Sequence, residues 1–120
     1  MSNDKVHYAT TEESDRVYQV FYESELILES NKVVKLTEHY DGKDFPPVIY
    51  FPLTALSNLK MSRTELTTTC PIKGSASYWS YKEAENGIWS YEHPLQDVGR
   101  IRAYFGFDHK KGFRIKMKLD

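Results

Sequence analysis

Ser75-Ala76-Ser77-Tyr78-Trp79-Ser80-Tyr81-Lys82 alternates with a period of two: Ala76, Tyr78 and Ser80 face one way, Ser77, Trp79 and Tyr81 the other. Side chains on an extended chain point to opposite faces in turn, so this stretch reads as a strand with aromatic rings on both faces. Downstream, Glu85-Asn86-Gly87 holds the strongest hairpin dipeptide and predicts a turn into Ile88-Trp89-Ser90-Tyr91, bringing the segments around Trp79 and Trp89 side by side. His93-Pro94 ends that strand, Arg100 to Phe107 reads as β, and Lys110-Lys111-Gly112 turns. Phe113, Ile115, Met117 and Leu119 then alternate with Arg114, Lys116 and Lys118.

Upstream, Thr-rich Glu65 to Thr69 is β-prone and is interrupted by Cys70-Pro71-Ile72-Lys73-Gly74. Leu53 to Leu56 suits one helical turn, and Pro46-Pro47 holds the entry to Val48-Ile49-Tyr50-Phe51 extended. Asp41-Gly42-Lys43-Asp44 is a turn signal. Val33 to Tyr40 is a strand with Val34, Leu36 and Tyr40 on one face and Lys35, Thr37 and His39 on the other. Val17 to Tyr22 and Leu26 to Leu28 are strands joined at Glu23-Ser24-Glu25. Residues 1–16 read as a polar N-terminal arm and residues 17–120 as one β domain. The expected class is mainly β: a single compact domain of about eight short strands with no long helix, arranged as a sandwich, barrel or folded sheet.

The 120 residues suit one domain, and 40% hydrophobic with 28% charged residues is a globular composition. The unusual entry is 14% aromatic, most of it nine Tyr, a residue that packs its ring while its hydroxyl stays wet or bonded. Sixteen basic and seventeen acidic residues leave a net charge of −1, so no global field favours nucleic acid or a membrane surface, and neither is an expected partner. One cysteine excludes an intrachain disulfide and a four-cysteine zinc site. With no apolar run in the first fifteen residues, the expected location is cytoplasmic and the expected state a monomer or homodimer.

Candidate chemistry centres on three groups. Cys70 is a candidate nucleophile because Lys73 follows it across a Pro/Gly-constrained turn, although free cysteines are more often small buried hydrophobes. Lys73 is also a candidate anchor for an anionic or carbonyl group. Tyr78, Trp79, Tyr81, Trp89 and Tyr91 suit either a cross-strand aromatic core or the wall of a pocket that stacks on a planar or cationic ligand. Glu38, on the Leu36/Tyr40 face of its strand, needs a partner there and is the candidate acid, base or ligand-orienting group. The basic face of Lys110, Lys111, Arg114, Lys116 and Lys118 could touch phosphates, but such alternation commonly marks a solvated edge strand. The four histidines form no metal motif, and no metal or cofactor is expected.

Phe45-Pro46-Pro47-Val48-Ile49-Tyr50-Phe51-Pro52, Thr69-Cys70-Pro71-Ile72-Lys73-Gly74-Ser75-Ala76-Ser77-Tyr78-Trp79-Ser80 and Trp89-Ser90-Tyr91-Glu92-His93-Pro94-Leu95 resemble the family called domain of unknown function 427, from about Val17 to Phe113. The resemblance implies a β-tent (Mss4-like) folded sheet and a tryptophan cage formed through Trp79 and Trp89. It carries over no zinc site, since the paired cysteines are missing. Some relatives are labelled nucleotidyltransferases, but no Gly-Ser is followed here by an Asp-x-Asp pair, so the metal-binding acids of that chemistry are absent. The expected function is a small-molecule-binding domain with Tyr50, Lys73, Tyr78, Trp79, Trp89 and Tyr91 at the ligand. Alternatives are an enzyme using Cys70 or Lys73, and a protein-interaction module.

Overall fold

Tight left-handed turns set the order of the strands. Glu23 and Ser24 (φ 47° and 78°) reverse the chain in one hairpin, Asp41 and Gly42 (φ 53° and 76°) in another, and Lys82 (φ 51°) opens a third. Positive φ at these positions gives the backbone twist that a two-residue hairpin needs. The computed structural model describes residues 6–119. They form β1 (His7–Ser14), β2 (Tyr18–Tyr22), β3 (Glu25–Ser30), β4 (Val33–Tyr40), β5 (Lys43–Asp44), β6 (Val48–Pro52), β7 (Ser62–Cys70), β8 (Gly74–Tyr81), β9 (Ala84–Ser90), β10 (Tyr104–Phe107) and β11 (Phe113–Met117). Every pairing is antiparallel. The larger sheet runs β1-β4-β6-β10-β9-β8-β7 with β5 beside β4, and the smaller runs β11-β2-β3.

The larger sheet buries both faces. On one, Phe51, Trp79, Tyr81, Ile88, Phe105 and Phe107 pack against Tyr18, Val20, Tyr22, Leu28 and Phe113 of the smaller sheet. The rings meet edge-on, with Tyr22 on Tyr81 at 5.2 Å and Phe51 on Phe107 at 5.7 Å between centroids, the geometry their quadrupoles favour. On the other face Val34, Leu36, Tyr50, Ala76 and Tyr91 pack under Val98 and Ile101. Among the described residues no helix is long and apolar enough to cross a membrane.

Several expectations change. Among the described residues eleven strands form where about eight were expected, with β1 arising in the expected arm and the two-residue β5 in the expected Asp41–Asp44 turn. The part of the polar arm that is described is mostly strand: β1 pairs with β4 along its whole length, from His7↔Tyr40 to Ser14↔Val33, and buries Ala9. The rest of the arm expectation, residues 1–5, lies outside the described residues. Asn86-Gly87 is not the hairpin turn. Lys82 and Glu83 turn instead, and Asn86 (φ 56°) sits within β9, near a register irregularity, its backbone N–H donating to Ser80 and its side-chain oxygen accepting from Thr64. Gly87 is required there for space, since a Cβ would come within 2.9 Å of the Phe113 ring. Arg100 to Phe107 is β only from Tyr104; before it, Gln96–Ile101 winds as a 3-10 segment that lays Val98 and Ile101 on the sheet.

Phe113 joins the two sheets, touching Tyr22, Tyr81 and Phe107. Phe113→Ala is expected to cost about 3–5 kcal/mol in urea unfolding, whereas half-exposed Phe45→Ala should cost within about 0.5 kcal/mol. Equal losses would show that the inter-sheet cluster does not dominate stability.

Candidate functional site

β6 and β10 pair at only two positions, Tyr104↔Pro52 and Phe105↔Phe51. Continued, that register would set Gly106 opposite Tyr50 and Phe107 opposite Ile49. The strands instead part, while β10 stays paired to β9 through Gly106↔Trp89 and Phe107↔Ile88. A cavity of about 800 Å³ opens at this parting. Tyr50, Tyr78, Trp89 and Tyr91 line it with Phe107 and Phe113, and Lys73 and Lys35 lie in its wall.

Trp89 crosses the parting. A Cβ on Gly106 would come within 2.5 Å of the indole, so the ring lies directly on the glycine backbone. Its Nε1–H donates to the Tyr50 hydroxyl at 3.2 Å, with the two rings edge to face. Burial pushes the Tyr50 phenol well above its ordinary value, the Trp89 hydrogen bond offsetting only part. Burial raises Tyr91 likewise. Both phenols therefore stay protonated at neutral pH.

Lys73 is placed by its turn. Its N–H donates to the Cys70 carbonyl at 3.3 Å, and its carbonyl accepts from the Leu95 N–H at 3.0 Å. Gly74 has φ 108°, and a side chain on it would press the His93 carbonyl at 3.3 Å, so the turn seats on the His93–Leu95 segment only as glycine. The Lys73 side chain is 12% exposed, and its Nζ donates to Glu38 Oε1 at 2.6 Å while lying 5.7 Å from the Tyr91 ring centre. Glu38 Oε2 is 3.2 Å from His7 Nε2. Burial alone would raise the Glu38 carboxyl, but the Lys73 hydrogen bond and charge, followed by those of His7, hold it below the ordinary range.

Tyr50, Lys73, Tyr78, Trp89 and Tyr91 thus border one cavity, and three expected site residues do not. Trp79 points to the opposite face of β8, where its register partner is Ile88 while Tyr78 faces Trp89. It packs on Phe105 at 5.1 Å, and the Arg63 guanidinium, itself held by Glu92 at 2.8 Å, covers it. A cage built from Trp79 and Trp89 is therefore excluded by the period of the strand. Cys70 packs at the edge of the Tyr50/Tyr91 core, outside the cavity lining. Glu38 orders Lys73 from behind and does not reach the cavity wall. Sequence reasoning missed His7, because it was assigned to the arm, and Lys35, because alternation alone marks it as solvated; Lys110 and Arg114 it named only within a basic face that could touch phosphates.

A larger hollow of about 960 Å³ lies against Glu12, Glu13, Asp15, Arg16 and Lys32; it shares Lys35 with the first cavity but contains none of the sequence candidates, and its charges are mixed. On the other side of β4, Thr10 Oγ1 is 2.8 Å from His39 Nε2, and His39 Nδ1 is 2.6 Å from Asp44 Oδ1. This hydroxyl–imidazole–carboxylate order resembles a nucleophile with its base, but Asp44 is 70% exposed and Thr10 faces water. It acts as a clasp joining β1, β4 and β5. Among the described residues no group of three or more His, Cys, Asp or Glu gathers as a metal site.

A family model described as a domain of unknown function (DUF427) matches residues 10–118, and the chain belongs to that family. The comparison with curated proteins finds no match.

Gly106→Ala is expected to push the Trp89 ring off β10, destabilising the protein by about 1–3 kcal/mol and shifting its tryptophan emission. Unchanged stability and emission would mean the ring does not rest there. Because folding lowers the Glu38 pKa, the unfolded chain binds more protons below about pH 4.3. The stability advantage of wild type over Glu38→Gln should be complete above that pH and shrink as pH falls through the folded value; a pH-independent difference would contradict the ion pair.

Proposed function

We propose, with membership of the DUF427 family as the premise, that this chain is a small-molecule-binding domain and that its ligand enters the parting between β6 and β10. The observation that supports this reading is the convergence of Tyr50, Lys73, Tyr78, Trp89 and Tyr91 on one cavity of about 800 Å³. That volume falls in the range of ligand sites, which combine apolar walls with a few convergent polar groups. Within this proposal Lys73 is the polar anchor. Glu38 holds its ammonium in place, and so orients the anchor instead of touching the ligand. Cys70 has no part in it, and a nucleotidyl-transfer reading has no acidic metal motif to rest on.

The β-tent arrangement, a cytoplasmic location and a monomeric or homodimeric state belong to the same proposal. The packing of a three-stranded sheet over a larger one supports the first, and a single unpaired cysteine is compatible with the second.

Thermal-shift screening of a metabolite library tests the reading. A ligand at about one hundred times its Kd adds roughly 2.7 kcal/mol, which raises Tm by several degrees. Trp89→Phe keeps a ring but loses the indole N–H, and it should lose most of that shift. If no compound stabilises wild type more than Trp89→Phe, the binding reading fails.

A further inference from the structure

The chain is close to neutral, with a net charge of −1, yet the cavity wall is not. Four cationic side chains border it, Lys35, Lys73, Lys110 and Arg114, against one carboxylate, Asp108. Asp108 is already occupied as a cap, accepting from the Lys110 backbone N–H at 2.9 Å. Lys73 is neutralised by Glu38. Lys35, Lys110 and Arg114 pair with no carboxylate of a described residue, and they come from three separate elements: β4, the 3-10 turn before β11, and β11 itself. Three cations without a carboxylate partner among the described residues, beside a cavity with aromatic walls, form a local positive field that the total charge conceals. Tyr78 and Trp89 offer flat faces to a ring from one side of the parting and Phe107 from the other, while lysine and arginine at the rim hold carboxylate or phosphate oxygens through charge-assisted hydrogen bonds.

We propose that the ligand of this cavity is a planar anion: a flat ring that stacks on its aromatic walls, bearing a carboxylate or phosphate that meets Lys110, Arg114 and Lys35 at the rim. This inference rests on the binding reading above and adds the chemical class to it.

Isothermal titration calorimetry with four probes separates the two claims: adenosine 5′-monophosphate, indole-3-carboxylate, adenosine and inorganic phosphate. At least one of the first two should bind about tenfold more tightly than adenosine and than inorganic phosphate. Which of the two binds distinguishes a phosphate from a carboxylate headgroup. The Lys110→Gln/Arg114→Gln variant changes two exposed side chains and should keep the wild-type melting temperature. It should lose about tenfold in affinity for the anionic probe and nothing for adenosine. Neither ringed anion binding more tightly than adenosine, or an unaltered affinity for the anionic probe in the variant, would overturn the planar-anion class and leave the cavity as a ligand site. Inorganic phosphate binding as well as the ringed anions would also overturn it, leaving only an anion site. Binding of no probe overturns the class, and the library screen then decides the binding reading separately.

Discussion

The Trp89 ring lies on the bare backbone of Gly106 and donates its N–H to Tyr50, and the rest of the site depends on that contact. β10 must hold two neighbours that diverge, β9 on one side and β6 on the other. Where β6 leaves, an unfilled gap would strand backbone polar groups and forfeit packing. The indole fills part of the gap and fastens its two banks, and glycine is the residue that lets the ring come close enough. The cavity is what remains of the parting.

Around that contact the polar groups are arranged in depth. Lys73 is nearly buried, and an ammonium in that setting needs both a counter-charge and hydrogen bonds. Glu38 supplies the charge, His7 holds the second carboxylate oxygen, and the Tyr91 ring face lies near the cation. Four segments far apart in the chain contribute: β1, β4, the turn before β8 and Tyr91 just after β9. The two long-range anchors of the turn, the Leu95 N–H and the tight seat of Gly74 on His93, explain why the Thr-Cys-Pro-x-Lys-Gly and His-Pro-Leu blocks occur together.

The same alternation that builds the sheet also divides its aromatic residues by role. Tyr22, Tyr81, Phe107 and Phe113 weld the two sheets, and Trp79 works on their side under an Arg63–Glu92 lid. Tyr50, Tyr78, Trp89 and Tyr91 occupy the opposite face of the larger sheet. A chain rich in Tyr can do both because a phenol tolerates burial on its ring and contact with water or a partner at its oxygen.

Period-two alternation by itself determined the β class, the strands around Ser75–Lys82 and Val33–Tyr40, the opposed directions of Tyr78 and Trp79, and the placing of Glu38 on an inward face that demands a partner. Local chemistry also marked the Glu23-Ser24 and Asp41-Gly42 turns. It failed at Asn86-Gly87, where a dipeptide that commonly turns a hairpin instead relieves crowding against Phe113, a contact 26 residues away in the chain. It failed at His7, whose strand is polar because one side faces water, so that pairing with β4 left no apolar signature. Only tertiary structure decided that β6 and β10 separate after two rungs, that Lys73 meets Glu38, and that Lys35, Lys110 and Arg114 share one rim. Register, parting and convergence depend on contacts between residues tens of positions apart, and no local spacing encodes them.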